Sequence, residues 1–185
     1  AGHVLALSAT ALDPGDTSAE GFLEIGLATN WEQFLAATRK IVSPMQNIVY
    51  ADTEGNIGFV SPARVPIRRR GDGSLPVPGW TGEYDWAGFV PFEELPRAFN
   101  PPSGVIVNAN ARVTPESYRH FITRDWVEPY RQRRAAAMLA AAARHSVGSM
   151  IAMQEDNVSP DTADTLPLML AKKRASDRRD WLEKK

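Results

Sequence analysis

The feature that most constrains the fold is a pair of short apolar runs set four residues apart. Gln46-Asn47-Ile48-Val49-Tyr50-Ala51-Asp52 and Ile57-Gly58-Phe59-Val60 are rich in β-branched and aromatic residues, and Thr53-Glu54-Gly55-Asn56 lies between them. That pattern predicts a β-hairpin, with Gly55 free to take the positive φ the loop needs. Helical signals flank it. Phe22, Leu23, Ile25 and Leu27 fit a short helix, and Asn30 reads as the N-cap of a second with Trp31, Phe34 and Leu35 on one face. Further strands are predicted at Leu5–Thr10 and Val105–Ala109, the first followed by a turn at Asp13-Pro14-Gly15-Asp16. The last third reads as helices over Glu128–Arg144, Val147–Gln154 and Asp161–Lys173, the last running into a heavily charged end through Lys185. The fold class is α+β. Core strands and a wrapping segment are expected over about residues 1–112, and a helical part over about 113–185 of the same domain.

Between Pro62 and Pro102 the chain is dense in proline, glycine and aromatic residues and nearly free of periodicity. So long an irregular stretch is uncommon in a compact domain and is usually functional or wrapped over other structure. Burial of Trp80, Tyr84, Trp86, Phe89 and Phe92 is expected to pin it down. The chain starts without methionine on a strand-like run, so it is expected to begin inside a domain, as a fragment of a longer protein.

Composition removes several function classes. A net charge of -1 gives no reason to expect nucleic acid or an anionic membrane as partner, and no apolar run approaches the roughly 20 residues that span a bilayer. Without cysteine there is neither disulfide nor thiolate chemistry. His3, His120 and His145 share no zinc-ligand spacing. Asp52-x-Glu54-x-Asn56 lacks the glycine and glutamate of a calcium loop and is better read as the hairpin turn. Gly71-Asp72-Gly73 is too short for a dinucleotide fingerprint, and Arg68-Arg69-Arg70 reads as a solvated edge. There is no Gly-x-Ser-x-Gly elbow, and nothing marks Ser8 or Ser61 as activated.

The order of the motifs is more informative than any one of them. After the hairpin come Gly71-Asp72-Gly73, Leu75-Pro76-Val77-Pro78-Gly79-Trp80, Asp85-Trp86-x-Gly88-Phe89-x-Pro91-Phe92 and Leu95-Pro96. Then follow Asn100-Pro101-Pro102-Ser103-Gly104, Asn108-Ala109-Asn110-Ala111-Arg112, Trp126, Pro129-Tyr130-Arg131 and Gln154-x-Asp156-x-x-Ser159. From about Leu5 to Leu170 this succession resembles the middle of the large (β) chain of the penicillin acylase family, which includes penicillin, cephalosporin and acyl-homoserine-lactone acylases.

The resemblance implies part of an αββα sandwich of the N-terminal-nucleophile hydrolases, in a periplasmic or secreted parent protein. In that family a serine freed by self-cleavage attacks the amide and its own α-amino group acts as base. A strand-end asparagine then donates a hydrogen bond to the oxyanion. By similarity that asparagine is Asn110, with Asn108 as its neighbouring competitor, and the arginine that orients it is Arg131. Arg133 and Arg134 are read as a solvated helix face. Gln46 and Arg124 map to the wall of the acyl pocket. The Ser-Asn-x-Trp start of the family's large chain is absent from this sequence, so the chain alone is expected to be inactive and to need the nucleophile-bearing remainder of its parent. No cofactor is expected. The family's structural calcium would draw on the loop near Gly73 and on an acidic residue where His120 stands, so it is not expected in this stretch. Self-association through uncovered apolar surface is a further expectation. The competing reading is a binding or scaffold module that keeps the fold without the chemistry.

Overall fold

The computed structural model describes Gly2 and residues 4–183, with side chains as far as Lys173. The expectations placed on Ala1, on His3 and on the charged end at Lys185 lie outside these residues. The chain divides into two compact units, residues 1–106 with 113–125, and residues 107–112 with 126–185. The first holds α1 (Ser18–Ile25), α2 (Trp31–Thr38), β1 (Ile48–Ala51), β2 (Ile57–Val60), β3 (Pro66–Arg68), β4 (Trp86–Phe89) and β5 (Arg97–Phe99). The second holds α3 (Tyr130–Ala140), α4 (Val147–Gln154) and α5 (Pro160–Glu183).

The predicted hairpin is present, with Ile48 opposite Val60 and Ala51 opposite Ile57. Asp52 closes its loop. One carboxylate oxygen accepts the backbone N–H groups of Glu54 and Asn56 at 3.0 and 2.9 Å, the other accepts the Asn56 amide at 2.8 Å, and Gly55 sits at φ 87°. β5 pairs antiparallel with the other edge of β2, which places β2 at the centre of a three-stranded sheet.

The two helices cover this sheet for local reasons. Asn30 caps α2 by accepting the Gln33 N–H at 2.9 Å, as its position before the apolar run predicts. α1 and α2 approach closely at Gly21, where an added Cβ would stand 2.8 Å from the Ala37 carbonyl oxygen. Trp31 and Phe34 then face the sheet. The Trp31 ring stacks on Phe34 and Phe99 with centroids 5.3 and 4.8 Å away, and the core beneath them centres on Val60, which is wholly buried. Losing an aromatic side chain from such a core costs about 3–5 kcal/mol.

The Pro62–Pro102 stretch is more regular than its composition suggests. β3 and β4 form a two-stranded sheet, and Val65, Val90 and Leu95 make a second core cluster beside Met45, Phe92 and Ile122. Strands of three or four residues, separated by a 17-residue connection (residues 69–85), are too short to register as alternation. Aromatic burial does not pin the segment at Trp80, which is 81% exposed in a one-turn 3-10 helix. Polar ties act there instead, with Arg69 N–H donating to the Asp85 carbonyl at 3.0 Å and Arg70 paired with Glu83 at 3.2 Å.

Two predicted strands are absent. Residues 4–9 carry no regular secondary structure and pair with no strand among the described residues, and Leu5 and Leu7 are exposed. Val105–Ala109 also lacks a ladder partner among the described residues. A strand exists only through its ladder, and the Asn108 side chain offers the backbone a competing local bond by accepting the Asn110 N–H at 3.3 Å.

Residues 113–125 are tied to the first unit by polar contacts. The Tyr118 hydroxyl donates to the Glu94 carbonyl at 2.7 Å, His120 Nε2 meets the Glu94 carboxylate at 2.5 Å, and Arg124 meets Asp72 at 2.5 Å. In the second unit α4 has its predicted bounds, α3 is shorter than the predicted Glu128–Arg144, and α5 continues to Glu183. Ser146 and Ser149 form a reciprocal cap at the start of α4.

Two outcomes are expected. A Cβ at Gly58 would lie 2.4 Å from Trp31 Cζ3, so Gly58→Ala should lower stability by about 1–3 kcal/mol in urea unfolding followed by tryptophan fluorescence. Unchanged stability would mean that the indole shifts freely. The second outcome concerns Asp72, whose carboxyl is drawn down from 3.8 to about 2, first by the Ser74 hydroxyl and N–H and then by Arg124. A depressed folded-state pKa gives stability that is present above the unfolded value and lost as pH falls through the folded one. The stability difference between wild type and Asp72→Asn should therefore be constant near neutrality and shrink between pH 3.8 and about 2. A difference independent of pH across that window would remove the carboxylate from this role.

Candidate active site

Asn110 sits within the second unit, where the chain bends just after the unpaired Val105–Ala109 run. Its φ is 64°, in the left-handed region that asparagine tolerates better than most residues. The next residue, Ala111, is buried, and the Asn110 carbonyl accepts the Val127 N–H at 3.3 Å, so the backbone is held on both sides. Arg131, in the first turn of α3, donates from Nη2 to Asn110 Oδ1 at 2.8 Å and to the Ala109 carbonyl at 2.9 Å. A guanidinium has only donors, so the amide atom facing it must be oxygen. This fixes the Asn110 amide with its Nδ2 hydrogens directed away from the cation. The arrangement is a neutral donor oriented by a permanent positive charge, which suits an oxygen that gains negative charge during a reaction.

The structure thus joins two of the four predicted site residues through a direct hydrogen bond. Asn108, the competitor, uses its side-chain oxygen to support the Asn110 backbone. Gln46 and Arg124 belong to the first unit and are both exposed. Gln46 lies two residues before β1, next to Met45 of the second core cluster. The Arg124 guanidinium is turned to Asp72 rather than to Gln46.

One reading of the helical face needs correction. Arg133 does face solvent, loosely paired with Asp164 at 3.7 Å. Arg134 does not. Its Nε and Nη2 donate to the two oxygens of Asp156 at 2.9 and 2.7 Å, and Asp156 is largely buried. Each partner favours the charged form of the other, which raises the arginine and lowers the carboxyl from their ordinary values. The sequence signal was available in Gln154-x-Asp156, an acid just past α4 that had no role assigned to it.

The two positions that the resemblance links to calcium, the loop at Gly73 and His120, are both engaged in polar contacts of the first unit. Asp72, beside Gly73, is engaged by Ser74 and by the Arg124 cation, and His120 faces Glu94. Among the described residues no group of three or more histidines, aspartates or glutamates is placed to hold a metal ion.

Comparison with known proteins places this geometry in context. The penicillin amidase family model matches residues 1–184. The chain is 36% identical over 159 residues to penicillin acylase 2 proenzyme of Pseudomonas sp. (strain SE83), covering 86% of this chain and 20% of that protein. It is 39% identical over 144 residues to acyl-homoserine lactone acylase QuiP of Pseudomonas fluorescens (strain Pf0-1), covering 78% and 17%. Its fold matches the thermostable penicillin G acylase of Alcaligenes faecalis with a TM-score of 0.66 at 31% identity, over 76% of this chain and 25% of that one. The chain therefore spans about a fifth of the length of the curated relatives it matches. The chain belongs to the penicillin amidase family.

Proposed function

We propose that this chain is a segment of the large chain of an acylase, an amide hydrolase that cleaves the N-acyl bond of a β-lactam, an acyl-homoserine lactone or a related linear amide. In this reading residues 1–185 form part of one αββα domain. The observation that carries the proposal is the Asn110 amide, held by Arg131 with its N–H groups free of the cation. Relatives named penicillin acylase and acyl-homoserine lactone acylase support the choice of reaction.

The chemistry follows from the N-terminal-nucleophile scheme. A serine supplied by the rest of the parent protein attacks the amide carbonyl through its hydroxyl oxygen, while its α-amino group takes the proton. The carbonyl oxygen becomes an oxyanion and accepts a hydrogen bond from Asn110 Nδ2. Collapse of this intermediate breaks the C–N bond, and the departing amine takes up the proton. Water then hydrolyses the acyl-serine ester by the same route. Arg131 never touches the reacting carbon; it holds the amide so that little reorganisation accompanies charge development. Gln46 and Arg124 line the acyl pocket. Polar groups at both positions favour an acyl chain that carries oxygen or charge over a purely hydrocarbon one.

Two measurements test the reading. In the full-length protein, Asn110→Ala should lower kcat on a chromogenic N-acyl amide by about 10²–10³-fold while KM changes little, because the lost bond forms fully only in the transition state. A variant with wild-type kcat would remove Asn110 from the oxyanion site, whereas a full-length wild type that turns over no N-acyl amide would favour a binding or scaffold module. The 185-residue chain alone should turn over no amide, and clear turnover by it would show a nucleophile within these residues.

A further inference from the structure

The Arg131–Asn110 contact has a weakness in its own helix. Arg131 occupies the first turn of α3, and that turn has no side-chain cap because Pro129 stands at the N-cap position. An uncapped first turn frays easily. A shift of the helix by a fraction of an ångström would lengthen the 2.8 Å bond that aims the Asn110 amide. Something further along α3 must hold its rotation and height.

Arg134 is the residue in position to do so. It lies three residues beyond Arg131, so both side chains leave neighbouring parts of one helix face. Its two-pronged bond to Asp156 anchors α3 to the chain just after α4. A two-pronged guanidinium–carboxylate pair fixes direction as well as distance, which a single-contact pair does not. Arg133–Asp164 on the same helix is long and more than half exposed on both sides, so solvent screens it and it sets nothing. We propose that Arg134 and Asp156 are positioning residues for the oxyanion asparagine, acting through α3 and Arg131. The proposal rests on the acylase reading of Asn110 and adds to it a clamp beyond the oxyanion contact.

The test uses the full-length enzyme, with rates normalised to folded protein. Asp156→Ala should lower kcat about ten-fold with KM nearly unchanged, less than the loss from removing the oxyanion donor itself. Arg134→Lys, which keeps the charge but loses the fork, should show a smaller loss of the same kind. The deciding readout is coupling. In an Asn110→Ala background, Asp156→Ala should change kcat less than two-fold, because the clamp then has nothing left to aim. A full ten-fold loss in that background, or wild-type kcat in both single variants, overturns the proposal while leaving the acylase reading intact. If Asp156→Ala does not fold, Arg134→Lys carries the same comparison. Wild-type kcat in Asn110→Ala itself is a separate result: it overturns the oxyanion reading, and this inference with it.

Discussion

The ring of Trp31 resting on the bare backbone of Gly58 is the contact on which the first unit is built. β2 is the central strand, and a side chain at its second position would occupy the space the indole fills. Because Gly58 has none, α2 can lie close to the sheet and bring Phe34, Tyr50 and Phe99 into one aromatic cluster. The glycine weakens the strand by its own flexibility, and the buried ring area offsets that cost several-fold.

The second unit depends on a different kind of force. Among the described residues its helices carry no buried side chain, and its order rests on directional polar contacts: the serine cap of α4, the Arg134–Asp156 pair, and Arg131 on Asn110. Most surface ion pairs contribute little to stability. What these contacts supply is orientation, since each guanidinium donates in a fixed plane. For the oxyanion role proposed for Asn110, orientation counts for more than binding strength, because a donor already in place need not be reorganised as charge appears.

Legibility varied with how local each cause was. The hairpin, the Asn30 cap and the three C-terminal helices were readable because their signals lie within a few residues: a turn glycine, a capping amide, an apolar period. The strands at 5–10 and 105–109 were misread because their β-branched and apolar residues imply a ladder without naming a partner. β3, β4 and β5 were missed for the converse reason, being short strands whose partners lie far along the chain. Trp80 was expected inside on size alone, yet it projects from a turn into solvent.

The sequence by itself determined the family, through the order and spacing of motifs that are individually weak, and it singled out Asn110 and Arg131 through that likeness. Whether those two residues meet was decided by tertiary structure, since they lie 21 residues apart and only the docking of α3 against the 107–112 turn brings guanidinium to amide. The same holds for Arg134. On the sequence it is one of several arginines on an exposed-looking helix; in the fold it grips Asp156, 22 residues away. Local propensity fixes which face of a helix a side chain leaves from, but only packing determines what waits on the other side.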